Sequence, residues 1–392
     1  MLDCNLFKHK LGSYQNYIQN NQDKVRFIHA SDIHLGSHQY RNDYRADDFI
    51  HIFQEILQLA ITYHVDFLLL GGDVFTSLEM LPGKLNKIVN LLKEFYQYTN
   101  KTISIIAIEG NHDIRKFSRG VRFKQRGQSW LKLLASLGLI ILLDANLEAP
   151  PMEMFEPYNF ITRKGGKIQI KNVVIYGTRY LGEKPISYLS KIRKGIQNDD
   201  GLFHILLQHF GIEGQMKNVP GINIDHIQHL KHRIDYLALG HFHKQFILDN
   251  WIYNPGSPEA VCSIDTTFKR GVFLVEIIGK KNYIKKVQMI RLNNRNHIWE
   301  TIICKSYKNK FDFYKYITQK LKQSLKTLNP NIQPSNSMMP VLYLRLRGLK
   351  PPKSCNIKEK ELSKLIIDEI PVVDVRVYRK FTNSSKSLDK YL

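Results

Sequence analysis

The sequence predicts an α/β protein in which strands and helices alternate and the first strands run parallel. Three apolar runs, at residues 25–30, 65–70 and 102–109, have the length and composition of buried strands. Segments 46–63 and 83–98 lie between them and repeat apolar residues at helical spacing. This alternation requires crossover connections, which join parallel strands of one sheet. Each run ends in a polar or glycine-containing segment, as strands do at the carboxyl edge of such a sheet.

The elements after residue 113 differ from the first three strands. Between Tyr158 and Tyr176 the apolar period becomes two and turn residues interrupt it, which predicts antiparallel strands. A helix is expected at 130–137, with further strands at 139–142, 202–207, 234–239, 246–253 and 271–278. The last two of these strands are expected to close a second sheet.

The length of 392 residues predicts more than one domain, and the composition changes near Leu292. The expected divisions are a loose polar extension at 1–24, an α/β domain at 25–291, a basic α/β module at 292–380 and a polar tail at 381–392. Within the module, helices are expected at 311–328 and 357–369, and strands at 341–346 and 372–378.

The net charge is +22, and it is unevenly distributed. Residues 281–392 hold 24 Lys and Arg against 8 Asp and Glu, which places +16 of the total in this part of the chain. Such a charge attracts polyanions such as nucleic acids. A lysine-rich genome would give the same composition, because the sequence is also rich in Ile and Asn. Composition leaves these two interpretations open.

The composition favours a cytoplasmic protein that does not enter a membrane. Apolar stretches such as 139–143 are far too short to cross a bilayer, and the first residues do not resemble a secretory leader. The four cysteines, at 4, 262, 304 and 355, form no Cys-x-x-Cys pair. They are expected to be reduced structural thiols rather than zinc ligands or disulfides.

Residue types that bind metal ions follow five of the predicted strands. They are Asp32 and His34, Asp73, Asn111, His209, and His241 and His243. In each of the two pairs, the residues are two apart on an extended segment and therefore face the same side. Carboxylate, imidazole and amide ligands without a thiolate suit Mn²⁺, Fe²⁺ or Zn²⁺. Seven ligands are too many for one ion and fit two ions that share a bridging carboxylate.

The order of these motifs resembles the calcineurin-like metallophosphoesterases: Asp-x-His, Gly-Asp, Gly-Asn-His-Asp, His and Gly-His-x-His. Segments 26–36, 71–75, 237–244 and 253–259 are similar to the SbcD-type nucleases, the nuclease subunits of double-strand-break repair complexes. The resemblance covers roughly residues 25–278. It implies a sandwich of two mixed β-sheets flanked by helices, followed by a small C-terminal α/β cap.

The resemblance also implies a role for each site residue. Asp32, His34, Asp73 and His243 would hold one ion, and Asp73, Asn111, His209 and His241 would hold the other. His112 would act on the scissile phosphate, and Asp113 would orient His112. Many members carry a histidine three residues beyond the bridging aspartate, where this chain has Thr76. This difference leaves the balance between exonuclease and endonuclease action open.

Two basic regions are candidates for DNA binding. One is the loop at 114–129, and the other is the pair of strands in the C-terminal module; the residues concerned are Arg115, Lys116, Arg119, Arg122, Lys124 and Arg126, with Arg345 and Arg347. A solvent-facing surface without a ligand is the alternative for both regions. The family further implies a homodimer and an SMC-like ATPase partner of the SbcC type. The short segment after Lys380 leaves the ATPase contact open.

The sequence therefore predicts a nucleoid-associated, Mn²⁺-dependent DNA nuclease that hydrolyses phosphodiester bonds as an exonuclease, a single-strand endonuclease or both. Its substrates would be single-stranded DNA and duplex ends in double-strand-break repair. Two alternatives are a metallophosphoesterase for nucleotides or small phosphoesters, and a DNA-tethering scaffold whose metal site is slow or gated by a partner.

Overall fold

The computed structural model describes residues 24–114, 117–118, 121–122, 128–182, 185–197, 201–280, 282–305, 307, 309–328, 339–352, 355 and 357–382. The predicted extension and tail therefore lie almost entirely outside the described residues. The chain divides into two compact units, Met1–Asn293 and Asn294–Leu392. None of the helices among the described residues is both long and apolar enough to cross a bilayer.

The first unit contains fourteen strands and four α-helices among its described residues. In chain order, the strands are β1 (Lys24–Ala30), β2 (Phe67–Leu70), β3 (Ser104–Ala107), β4 (Phe117–Ser118), β5 (Val121–Arg122), β6 (Ile141–Leu142), β7 (Lys167–Ile170), β8 (Val173–Gly177), β9 (Phe203–His209), β10 (Tyr236–Gly240), β11 (Phe246–Leu248), β12 (Ile252–Asn254), β13 (Val272–Ile278) and β14 (Ile284–Ile290). The helices are α1 (Asp43–Thr62), α2 (Pro82–Tyr98), α3 (Trp130–Ser136) and α4 (Ile186–Gly195).

These strands form two six-stranded mixed sheets and one two-stranded sheet. The first sheet has the order β14-β13-β1-β2-β3-β6, and its last four strands are parallel. The second has the order β11-β12-β10-β9-β8-β7, with β12, β10, β9 and β8 parallel. Strands β4 and β5 pair with each other. The predicted sandwich of two mixed sheets is therefore confirmed.

Alternation along the strands creates three apolar layers. In β1, Ile28 and Ala30 pack on the helical side of the first sheet, whereas Val25 and Phe27 face the second sheet. The second sheet repeats this pattern, with Leu206 of β9 on its helical side and its neighbours between the sheets. Strands buried on both faces form nearly continuous apolar runs, and this explains why they can be recognised in the sequence.

One predicted sheet assignment is wrong. The strand at 271–278 was expected to close the second sheet, but β13 belongs to the first sheet. It pairs antiparallel with β1, with Phe27 opposite Val275, and with β14 on its other side. The segment at 246–253 is two short strands, β11 and β12, and these do lie in the second sheet.

The second unit is a β–α–β–α–β module with a parallel three-stranded sheet. Its elements are β15 (His297–Cys304), α5 (Lys310–Leu328), β16 (Val341–Leu349), α6 (Glu359–Glu369) and β17 (Asp374–Thr382). Strand β16 lies between β15 and β17. The sequence predicted both helices and the last two strands but missed β15. An apolar core that includes Phe313, Leu344 and Ile366 joins the helices to one face of the sheet.

Candidate metal centre

The loops after β1 and β2 are bound to each other along their backbones. Asp32 N donates to Gly72 O at 3.0 Å, and His34 N donates to Asp73 O at 3.0 Å. In the second sheet, His209 ends β9 and is paired with Gly240 at the end of β10. The parallel strands of the two mixed sheets therefore present their carboxyl ends, and the side chains that follow them, to one region.

Four of the predicted ligand residues have left-handed backbone conformations. The φ angles are 52° for Asp32, 53° for His34, 49° for Asp73 and 90° for His241. This conformation is energetically unfavourable for a residue other than glycine, and residues that adopt it are concentrated at functional sites. The backbone at this edge is shaped to direct side chains inward rather than to continue the strands.

Asp32, His34 and His243 form the first candidate ligand set. One donor atom from each lies within 4.8 Å of the other two. The Nε2 atoms of His34 and His243 are 3.2 Å apart. His243 is oriented by Asp265, whose Oδ2 atom lies 2.9 Å from His243 Nδ1. Burial lowers the pKa of His34 to about 3, so this imidazole is neutral and its lone pair can bind a cation.

Asp73, His209 and His241 form the second set, and Asn111 joins it. Asn111 Oδ1 lies 3.2 Å from His209 Nε2 and 3.0 Å from His241 Nδ1. His209 Nδ1 donates to Gly71 O at 2.7 Å, which leaves the Nε2 lone pair directed at Asn111 Oδ1 and at Asp73 Oδ2, 3.3 Å away. Converging acceptor atoms repel one another unless a cation or a proton lies among them. The donor set therefore fits a divalent ion.

The pKa values in the second set reflect the same crowding. Burial lowers the pKa of His241 to about 4. Burial also acts to lower the pKa of His209, but the adjacent Asp73 carboxylate outweighs this and raises it to about 9. His209 is therefore protonated in the absence of metal, and a metal ion would have to displace this proton to bind the ring nitrogen.

His112 lies beside both sets. Its backbone N donates to Asp73 Oδ1 at 2.7 Å, and its ring centroid is 4.8 Å from that of His34. Its Nδ1 atom is 2.9 Å from Thr76 O. This carbonyl fixes the ring and directs Nε2 away from Thr76. A backbone carbonyl has no sequence signal, which is why the sequence did not indicate this contact.

The predicted role of Asp113 differs from the hydrogen bonds observed. Its buried carboxylate accepts backbone N–H groups from Phe75 at 2.9 Å, Gly110 at 2.9 Å and Val74 at 3.3 Å. Asp113 therefore braces the loop that carries Asp73 against the loop that carries His112. The His112 ring contacts Thr76 O through its Nδ1 atom.

Asp265 was missed in the sequence because it belongs to no recognised motif. Its carboxylate is buried and accepts from Val261 N at 3.0 Å and Cys262 N at 3.1 Å, besides contacting His243. These contacts hold the carboxylate in position. Such a carboxylate selects one tautomer and one ring orientation of the histidine that it contacts.

The motif at 253–259 supports the turn that carries the last two histidines. Asn254 Nδ2 donates to Phe242 O at 2.7 Å and to Lys244 O at 3.0 Å. Gly256 has φ 74°, and a Cβ atom there would lie 2.5 Å from His243 O. Glu259, at the end of the motif, binds Arg45 of α1 at 2.9 Å.

The structure describes few of the predicted DNA-binding side chains. Arg115, Lys116, Arg119, Lys124 and Arg126 lie outside the described residues, and only the backbone of Arg122 is described, in β5. Arg345 and Arg347 lie on β16 and alternate with the core residues Leu344 and Leu346. They therefore occupy the sheet face opposite the helices of the second unit.

The family model for calcineurin-like phosphoesterases matches residues 25–245, more than half of the chain. The chain belongs to this family. It is a metal-dependent hydrolase of phosphoester bonds, as its fold and its two ligand sets also indicate.

Among known proteins, the chain is similar to several DNA double-strand break repair proteins Mre11. The protein of Sulfurisphaera tokodaii is 25% identical over 86% of this chain and 77% of its own length. That of Archaeoglobus fulgidus is 29% identical over 60% of this chain and 50% of its own length. An uncharacterized metallophosphoesterase of Bacillus subtilis, YhaO, is 26% identical over 64% of this chain and 57% of its own length. The predicted resemblance to double-strand-break repair nucleases is thus confirmed.

Proposed function

We propose that this protein is a Mn²⁺-dependent DNA nuclease of double-strand-break repair, acting as an exonuclease, a single-strand endonuclease or both. The observation that carries the proposal is the pair of adjacent oxygen and nitrogen ligand sets with His112 beside them. The similarity to Mre11 proteins supports DNA as the substrate. The positive charge of the chain supports a polyanionic substrate as well.

The ligand sets would hold two ions. Asp32, His34 and His243 would bind one, His209, His241 and Asn111 the other, and Asp73 would bridge them. When bound, such a pair supplies an activated water and neutralises charge on the attacking and leaving oxygens of an in-line displacement. Mn²⁺ fits a set that mixes carboxylate, amide and imidazole ligands, and Fe²⁺ and Zn²⁺ are the alternatives.

His112 would act on the substrate rather than on an ion. Its ring is held at Nδ1, which contacts Thr76 O, and Nε2 would contact an oxygen of the scissile phosphate. That contact strengthens as negative charge develops on the oxygen, so it lowers the barrier more than it tightens substrate binding. We also propose that DNA contacts the basic loop at 114–129 and that the protein acts as a homodimer with an SMC-like ATPase.

A comparison of substrates tests the proposal. The full chain with Mn²⁺ is expected to cleave single-stranded or blunt duplex DNA with a higher kcat/KM than a generic aryl phosphodiester. The matched control is the variant Asp73→Asn, which removes the bridging charge and is expected to cleave none of these substrates. Faster turnover of the aryl ester than of DNA would indicate a small-molecule phosphoesterase. Salt-sensitive DNA binding without cleavage would indicate a tethering scaffold.

Replacing Asp265 by asparagine is expected to weaken one of the two metal-binding events about 10- to 100-fold and leave the other unchanged. The reason is that Asp265 contacts His243 alone among the proposed ligands, whereas His209 is oriented by the carbonyl of Gly71. Calorimetric titration with Mn²⁺ measures both events. The exposed Asp225→Asn serves as control, and equal weakening of both events would contradict the assignment.

Metal affinity is expected to rise with pH between about 6 and 9. In the metal-free protein Asp73 raises the pKa of His209 to about 9, so below that pH the ion must displace a proton. Each unit of pH lost below 9 then weakens binding by about tenfold through this proton alone. Titrations at pH 7 in buffers with different ionisation enthalpies measure the proton released. Binding without proton release at pH 7 would show that His209 is not a ligand.

A further inference from the structure

The sheet of the second unit has one face packed on helices and one face with a different composition. Leu342, Leu344 and Leu346 of β16 point toward α5 and α6. The alternate positions therefore point the other way. On the three strands, these positions include Trp299 and Thr301, Tyr343, Arg345 and Arg347, and Arg376, Tyr378 and Lys380. We call this surface the aromatic face.

Three aromatic rings of this face form one stack. Trp299 is central: its ring centroid lies 4.5 Å from that of Tyr343, at an interplanar angle of 18°, and 5.5 Å from that of Tyr378, at 27°. The guanidinium carbon of Arg345 lies 4.0 Å from the centre of the Trp299 ring. Near-parallel rings with an adjacent cation form a rigid surface of π-electron density.

The stack is buried at one end and reaches the surface at the other. Tyr343 is fully buried, whereas Tyr378 is 40% exposed. Thr301 is paired with Arg345 on the neighbouring strand, and Lys380 is paired with Arg347. Both Thr301 and Lys380 are exposed too. The aromatic face therefore opens toward the carboxyl ends of its strands, with Tyr378 as the outermost ring.

Charge at the open end is positive. Arg345, Arg347 and Lys380 lie there on neighbouring strands. Among the described residues of these strands, the carboxylate on the aromatic face is Asp374, at the opposite end, and it already pairs with Arg376 at 3.0 Å. A partner of this surface must therefore bring both flat apolar groups and negative charge.

We propose that the aromatic face binds single-stranded nucleic acid, with a base stacking on Tyr378 and phosphates contacting Arg345, Arg347 and Lys380. The inference deepens the proposed function, on which it rests for DNA as the substrate. Unpaired bases can stack on aromatic side chains of a sheet, whereas duplex bases already cover each other's faces.

Binding to oligothymidylate of about ten nucleotides, compared with an abasic strand of equal length, tests the stacking contact. Affinity is measured by fluorescence anisotropy in the presence of a chelator, which suppresses cleavage. Failure of the nuclease proposal therefore does not affect the result. The parent chain is expected to prefer the oligothymidylate. Tyr378→Ala is expected to lose affinity about 5- to 100-fold for this strand and little for the abasic one, whereas Tyr378→Phe retains the preference.

Two neighbouring cations on opposite faces of β17 test the phosphate contact. Lys380→Ala is expected to reduce the slope of log affinity against log salt by about 0.7, the contribution of one phosphate contact. Arg379→Ala removes the same charge from the other face, where Arg379 pairs with Glu359 of α6 at 2.7 Å, and is expected to leave the slope unchanged.

Three results would overturn the proposal. The first is equal affinity of the parent for the two strands, and the second is parental affinity in Tyr378→Ala with an unchanged thermal midpoint. The third is loss of self-association in Tyr378→Ala while its oligonucleotide affinity stays unchanged. That last result would assign the aromatic face to a protein interface.

Discussion

Replacing His112 by alanine is expected to reduce the rate of DNA cleavage by about 10²- to 10⁴-fold while both metal sets remain intact. His112 is outside the two ligand sets, and its Nδ1 atom lies 2.9 Å from the backbone oxygen of Thr76. Its removal therefore deletes a contact to the substrate without removing a metal ligand. Single-turnover cleavage under saturating enzyme measures the effect on the chemical step.

Elemental analysis of the same preparations supplies the control. His112→Ala is expected to retain the parental metal content, whereas His209→Ala is expected to lose metal together with activity. His51→Ala, an exposed position on α1, is expected to change neither. Cleavage by His112→Ala at the parental rate would disprove the proposed role, and loss of metal from that variant would show that His112 is a ligand.

Replacing Arg45 by methionine is expected to reduce the free energy of unfolding by about 3–5 kcal/mol. The Arg45 side chain is completely buried and pairs with Asp48 at 2.5 Å and with Glu259 at 2.9 Å. It also donates to Gln39 Oε1 at 2.7 Å and to Ala260 O at 3.0 Å. Methionine fills a similar volume but leaves the buried carboxylate of Glu259 without its cation, and this uncompensated charge is the main cost.

Thermal unfolding followed by calorimetry measures this effect. The control is Arg291→Met, because Arg291 is exposed just after β14. A double variant, Arg45→Met with Glu259→Gln, is expected to recover part of the loss by removing the unpaired charge. Equal midpoints for the two single variants would show that the buried pair contributes little.

The strands that are buried on both faces could be predicted from the sequence. The assignment of strands to sheets could not be predicted where pairing depends on distant residues. The apolar strands β1, β2 and β3 were predicted because most of their positions are covered by a layer of the sandwich. The sheet that takes β13 is decided by pairing with β1, about 250 residues earlier, and no local pattern contains that information. Strand β15 was missed because Glu300 and Thr301 interrupt its apolar pattern and because it follows an Asn-rich linker.

The same distinction applies to the candidate site. The seven ligand candidates were visible because each follows an apolar run in a motif of recognisable order. The contacts that orient them come from backbone carbonyls, as at Gly71 and Thr76, or from a carboxylate outside the motifs, as at Asp265. A sequence pattern records residue types, whereas these contacts depend on where the folded backbone brings an oxygen atom.

The left-handed conformations of Asp32, His34, Asp73 and His241 place stability and metal binding in conflict at this edge of the sandwich. Each costs the folded state about 1–3 kcal/mol that glycine would not incur. A laboratory selection for heat resistance alone would therefore enrich glycine at these four positions. The selected variants would be more stable to heat but would lack the metal centre. A screen for stable variants of this enzyme must therefore select for turnover at the same time.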